Sequence, residues 1–274
     1  MESFSKKDIL ISLIFLLFLG FFTFQDDFSG IAWGKYKNAD FALALNGNNA
    51  KLAYEIGDYY FNGRACVETA GKGCYDLEKA EAGYKKAISI NPKFERAHYQ
   101  LARIYFVKGE RERAMKEINL ELEYYPDYKR SYYVRGLING YDGRLEAAEK
   151  DFLEFISWAP YEWGGYNDLA WILLKSSKYE QAKEIALAGL KYPSTRDNPW
   201  LLNALGASEL NLRDYDSAKS TFEKVSEILM DFPESEFEKA YPGNNPLSVG
   251  AGLTAFKTAV LENLKKSEEG TRRD

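Results

Sequence analysis

Three prolines recur at one interval: Pro92, Pro126 and Pro160, each 34 residues after the last. Each closes an amphipathic segment (Ala-Ile-Ser-Ile-Asn-Pro, Leu-Glu-Tyr-Tyr-Pro, Phe-Ile-Ser-Trp-Ala-Pro) and precedes the start of another. Proline lacks an N–H and its ring clashes with the preceding turn, so it ends a helix at a set place. A fixed period of helix, turn, helix and stop predicts an all-α array of stacked helical hairpins. No hairpin in such an array buries its own apolar face, so the units are stable only together.

The composition fits that architecture and narrows the function. Hydrophobic content of 46% allows a large core, and 28% charged residues argue against global disorder. The net charge of -5 speaks against broad attraction to nucleic acid, and no nucleic-acid partner is expected. With one histidine and two cysteines the chain has almost no ligands for a metal, so neither metal nor cofactor is expected.

Within the array a small residue returns at Gly57, Ala102, Gly136, Ala170 and Gly206, with steps of 45, 34, 34 and 36. The first unit continues with Tyr60, Ala80, Tyr84, Ala87 and Pro92, the second with Tyr105, Ala114, Ile118 and Pro126, the third with Ala148, Phe152 and Pro160. A fourth carries Ala182 and Ala186 before Pro193, and a fifth Ala218 and Phe222 before Pro233. This pattern resembles the tetratricopeptide repeat over about residues 50–233, with eleven extra residues between Tyr60 and Ala80. The first unit, through Asn62-Gly63, Asp76 and Lys79-Ala80, also resembles the Sel1-type repeat. The resemblance implies a solenoid of about five helical hairpins, in which small residues let paired helices approach and large ones fill the space between them. Residues 50–246 are assigned to the array. Leu247–Lys266, with Leu253, Phe256, Val260 and Leu264 at helical spacing, is expected to cap it, and residues 267–274 to form a disordered tail.

The N-terminus reads differently. After residues 1–8, with Lys6 and Lys7, the run Ile9–Phe24 holds sixteen residues without a charge, about 24 Å as a helix. A small-residue cleavage site is poor here, so the expectation is an uncleaved transmembrane signal anchor followed by a connector over residues 25–49. Lys6 and Lys7 precede the run and Asp26 and Asp27 follow it, which puts the N-terminus inside and the repeats outside the cytoplasm.

No catalytic constellation stands out. His98 falls at an inward-facing repeat position, where a packed ring is expected. Ala70-Gly71-Lys72-Gly73 lacks the leading glycine of a phosphate loop, because that place is Cys66. The chain is therefore not expected to be an enzyme. Cys66 and Cys74 bracket the insertion; outside the cytoplasm they are expected to close it as a disulfide, and inside they would be two free thiols.

The function is expected on a groove. The resemblance implies that first helices line a concave surface, here through Lys51, Tyr54 and Asp58, then Arg96, Tyr99, Arg103 and Phe106, then Arg130, Tyr133 and Tyr141. Asn167, Asp168, Trp171, Trp200 and Asn203 continue it. Tyrosine and arginine dominate interface hot spots, and Asn167 and Asn203 share one repeat position, suited to holding an extended peptide backbone. The partner-binding residues expected are Arg96, Tyr99, Arg103, Arg130, Tyr133, Asn167, Trp171 and Asn203, and the three arginines point to a protein or peptide with acidic groups. Tyr54 and Asp58, or Tyr99 and Arg103, do not reproduce the carboxylate clamp of chaperone-binding repeats. The sequence thus suggests a non-enzymatic, membrane-anchored scaffold for assembling an envelope complex. A self-associating structural envelope protein and an accessory substrate-binding subunit of a membrane enzyme are the alternatives, with the oligomeric state open.

Overall fold

The computed structural model describes residue 20 and residues 24–61, 76–234, 237 and 252–273. Among them the chain is all-helical, with no strand. It divides into two compact units, Met1–Ala97 and His98–Asp274.

The first unit contains a helical stretch over residues 24–34, α1 (Ala39–Leu45), α2 (Ala50–Phe61) and α3 (Leu77–Ile90). Side-chain oxygens set three of the starts: Asn38 accepts from the Phe41 N–H, Asn49 from the Leu52 N–H and Asp76 from the Lys79 N–H, each at 2.9 Å. α2 and α3 form the first hairpin. Gly57 and Gly83 meet at its crossing, where a Cβ on Gly83 would stand 2.7 Å from the Gly57 nitrogen. Tyr84 fills the adjoining space, fully buried, and donates its hydroxyl to Asp58 at 2.7 Å.

The second unit starts within the first turn of α4 (Ala97–Val107) and continues through α5 (Arg111–Tyr124), α6 (Arg130–Tyr141) and α7 (Leu145–Trp158). Then come α8 (Trp163–Lys175), α9 (Tyr179–Leu190), α10 (Pro199–Asn211), α11 (Tyr215–Met230) and α12 (Gly252–Thr271). The small residue of each first helix faces its hairpin partner: Gly136 lies under the Phe152 ring and Gly206 under Phe222. The left-handed turn between helices also repeats, at Gly109, Gly143, Ser177 and Arg213, with φ of 77°, 77°, 55° and 62°.

The three prolines do what their chemistry requires. The residues before them, Asn91, Tyr125 and Ala159, leave helical geometry with ψ of 98°, 68° and 65°, as a following proline demands. Each still donates its N–H to the carbonyl four residues back, and the bond ladder stops there. After α9 the stop is looser, because Pro193 begins a short 3-10 turn, Pro193–Thr195.

α12 packs on α11 and α10. Leu253 and Val260 are buried in one cluster with Trp200, Phe222 and Val225, and Phe256 packs against it. The helix passes through Ser267, which is fully buried, to Thr271, whose hydroxyl bonds Asp216 at 3.1 Å.

The N-terminal expectation needs correcting. Among the described residues no helix is long and apolar enough to cross a membrane. Ile9–Phe24 lies outside them apart from Gly20 and Phe24. One face of the described helical stretch that follows it packs on protein, while Phe24, Phe28 and Ile31 stay exposed. Ala32 and Trp33 bury against Ala42, Leu52 and Ile56, and Asp26 accepts hydrogen bonds from the Asn46 and Asn49 amides. The single-pass placement, N-terminus inside and repeats extracytoplasmic, therefore does not stand, and neither does the transmembrane helix as part of the fold. Cys66 and Cys74, the Asn62-Gly63 wording of the Sel1-type resemblance and Lys72 all lie outside the described residues.

Candidate functional site: the first-helix face of the second unit

Seven of the eight residues expected to bind a partner fall in the second unit, on its four first helices. Tyr99 and Arg103 are on α4, Arg130 and Tyr133 on α6, Asn167 and Trp171 on α8, and Asn203 on α10. Arg96 belongs to the first unit, where it pairs with Glu95 at 3.1 Å in the left-handed region, φ 67°. Of the other groove candidates there, Asp58 serves Tyr84, Tyr54 makes tilted ring contacts with Tyr84 and Phe94, and Lys51 pairs with Glu55.

Within the second unit the side chains form three groups. In the first, Tyr99 is buried edge-on against Tyr128, with Arg103 5.6 Å over its ring; Arg103 also donates to Gln100 at 3.0 Å. In the second, Arg130 bonds Glu162 at 2.9 Å and lies 5.8 Å from the Trp158 ring. Burial opposes the charge on Arg130, but the Glu162 contact outweighs it and holds the guanidinium above its usual range.

The third group joins α6 to α8. Tyr133 donates its hydroxyl to Asp168 at 2.6 Å, and Asn167 donates its amide to the other carboxylate oxygen at 3.0 Å. Burial pushes the Asp168 carboxyl up to about 6, against the pull of those two hydrogen bonds. Tyr141 stands one end of α6 away; burial first, and then the Asp168 charge, raises its hydroxyl above the ordinary tyrosine range. Its ring meets Trp171 at 5.3 Å and Phe106 at 5.4 Å, so one aromatic strip crosses α4, α6 and α8. Lys175 sits 4.6 Å over the Trp171 ring.

At the far end, Asn203 buries its side-chain carbonyl oxygen with no hydrogen-bond partner among the described residues. Trp200 stacks on Trp163 at 5.1 Å and on Phe256 of α12 at 6.1 Å, which commits it to the cap. His98 is buried and contacts Glu117 at 2.6 Å, a packed residue.

Sequence reasoning missed three participants. Glu162 and Trp158 engage Arg130, and no repeat position marks them. Gly140 is what admits Trp171: a Cβ there would stand 2.9 Å from the indole and 2.7 Å from Ile172. A second glycine one turn after Gly136 was the available signal.

Known proteins agree with this architecture. Residues 75–137 and 129–162 each match a tetratricopeptide repeat model. No curated protein matches the chain in sequence. Among solved structures, MamA is 17% identical with a TM-score of 0.55, over 71% of this chain and 96% of its own. YrrB, described as a TPR protein with an unusual peptide-binding site, is 15% identical with a TM-score of 0.56, over 70% and 93%. PilW, described as a type IV pilus biogenesis factor, is 15% identical with a TM-score of 0.57, over 82% and 91%. At such identities the likeness is one of fold. The chain carries tetratricopeptide repeats over residues 75–162 and shares the helical-hairpin fold of these proteins.

Proposed function

We propose that the chain is a non-catalytic protein-interaction scaffold that holds an extended peptide segment of a partner on the first-helix face of its second unit. The observation that carries this reading is the join between α6 and α8. There Tyr133, Tyr141, Asn167, Asp168 and Trp171, from two different repeats, share one half-exposed patch of rings and hydrogen-bonding groups. Rigid aromatic rings give large contact area at little entropic cost, and neighbouring amides and carboxylates fix a peptide's register. YrrB, similar in fold, is described as peptide-binding, which supports the same use of the fold.

The expectation of an acidic ligand loses support from the side chains. Arg96, Arg103 and Arg130 already engage Glu95, Gln100 and Glu162. An acidic group would first have to displace those partners.

The test is site-specific photo-crosslinking in intact cells. A crosslinker at Tyr141 should capture a protein partner, and one at Leu187, exposed on α9, should not. Capture from position 187 with none from 141 would move the function to the second helices.

A further inference from the structure

We infer that Asp168, hydrogen-bonded by Tyr133 and one helical turn before the Trp171 ring that Tyr141 meets, is the seat of a cationic group on the ligand: a lysine or arginine side chain of a basic peptide. This rests on the groove reading above and names the chemistry of what the groove takes.

An ionised carboxylate has roughly four acceptor positions. Here two are filled, both by neutral donors, the Tyr133 hydroxyl and the Asn167 amide. No cation is among the groups that act on this carboxyl. A half-buried negative charge without a positive partner is costly, and a matching cation from outside would remove that cost. Arg130 on this face and Lys183 on α9, by contrast, each have carboxylate partners: Glu162 for the first, Glu209 and Asp214 for the second.

The rings have the same preference. Ring faces carry negative potential, and aromatic cages bind ammonium and guanidinium groups. Tyr141 is 42% exposed, so its ring is open to a ligand. Its hydroxyl feels the Asp168 charge and its ring lies 5.3 Å from Trp171. The protein already shows that the indole accepts a cation, because the Lys175 ammonium rests 4.6 Å over it. The carboxylate supplies charge and direction, and the rings supply a surface for the alkyl stem. Of these described groups, Lys175, held over the Trp171 ring, is the one that opposes a second cation. An arginine suits the site best, since its planar head stacks on rings while donating to a carboxylate.

The experiment uses the full chain and three end-capped, fluorescent Gly/Ser peptides that differ at one central residue: arginine, norleucine or glutamate. Binding is read by fluorescence polarisation at neutral pH. The arginine peptide should bind about tenfold or more tightly than the glutamate peptide, the size expected for a partly desolvated charge pair. Asp168→Asn should abolish that preference and leave the norleucine peptide unchanged. Tyr141→Leu should weaken the arginine peptide about threefold, the loss of one exposed cation–π contact. Should Asp168→Asn misfold by circular dichroism, the Tyr141→Leu and Trp171→Leu variants carry the test. Equal or tighter binding of the glutamate peptide, or an arginine preference that survives Asp168→Asn, overturns the inference and leaves the groove standing. Failure of every peptide to bind sinks both.

Discussion

Gly83→Ala is the sharpest perturbation of the fold. The added methyl would lie 2.7 Å from the Gly57 nitrogen, 2.8 Å from its Cα and 2.9 Å from the Ala53 carbonyl oxygen. All three are backbone atoms of α2, so no side chain can turn aside. Ordinary contact needs about 3.5–4.0 Å, and the two helices must separate by about 1 Å. Around that crossing Ala53, Ala80, Tyr84 and Ala87 are fully buried, and a gap of this size forfeits between a quarter and half of their contact energy. Overpacking of this kind costs about 3 kcal/mol, and alanine's better helix propensity returns about 1, leaving a net loss of about 2 kcal/mol. Gly30→Ala is the matched control, a helical glycine whose Cβ meets nothing within 4 Å, and it should gain about 0.5–1 kcal/mol. The assay is urea unfolding followed by fluorine NMR of fluorotryptophan. Trp33 is the one tryptophan before Ala97, so it reports the first unit alone. If Gly83→Ala stabilises this unit as Gly30→Ala does, the close helix crossing is wrong.

Three further outcomes are expected. Arg213→Gly relieves a left-handed backbone at a turn where Gly109 and Gly143 occupy the equivalent places, and should raise stability by about 0.5–1 kcal/mol in thermal unfolding. Arg135→Ala strips the buried Asp151 carboxylate of its cation at 2.7 Å and leaves only the Asn139 amide, which should cost about 3 kcal/mol in denaturant. Asp168 has its folded pKa raised from 3.8 to about 6, so the fold favours the protonated form and this residue's contribution falls as pH rises across that window. Asp168→Asn, which cannot ionise, should therefore gain on the parent chain by up to about 3 kcal/mol between pH 4 and 7; a difference that stays flat with pH would refute the linkage.

Much of the fold was legible because it repeats. A proline every 34 residues and a small residue on each first helix are local steric demands, and each reappears as a helix end or a crossing: Pro92 after α3, Gly136 under Phe152. Apolar length alone made Ile9–Phe24 read as a membrane span, a reading that no described helix supports. The described residues after it pack on protein: Asp26 bonds Asn46 and Asn49, and Trp33 buries against the first hairpin. The site was legible as a list of positions and not as pairings. Arginine at a groove position reads as a free cation, yet Glu162, 32 residues from Arg130, neutralises it. Asp168 reads as one more groove-lining position, and only the helix packing shows it held by the Tyr133 hydroxyl with no cation among the groups that act on it. Pairings of this kind depend on which faces meet, and no single stretch of sequence encodes them.

The proposed ligand site lies on the first helices of the second unit, at the α6–α8 join. Indole NMR of the full chain during titration with the capped arginine peptide tests it in one spectrum. Trp171 should shift progressively, while Trp33 in the first unit and Trp200 under the C-terminal helix stay in place as internal references. A titration that moves Trp33 or Trp200 and leaves Trp171 still would contradict the account.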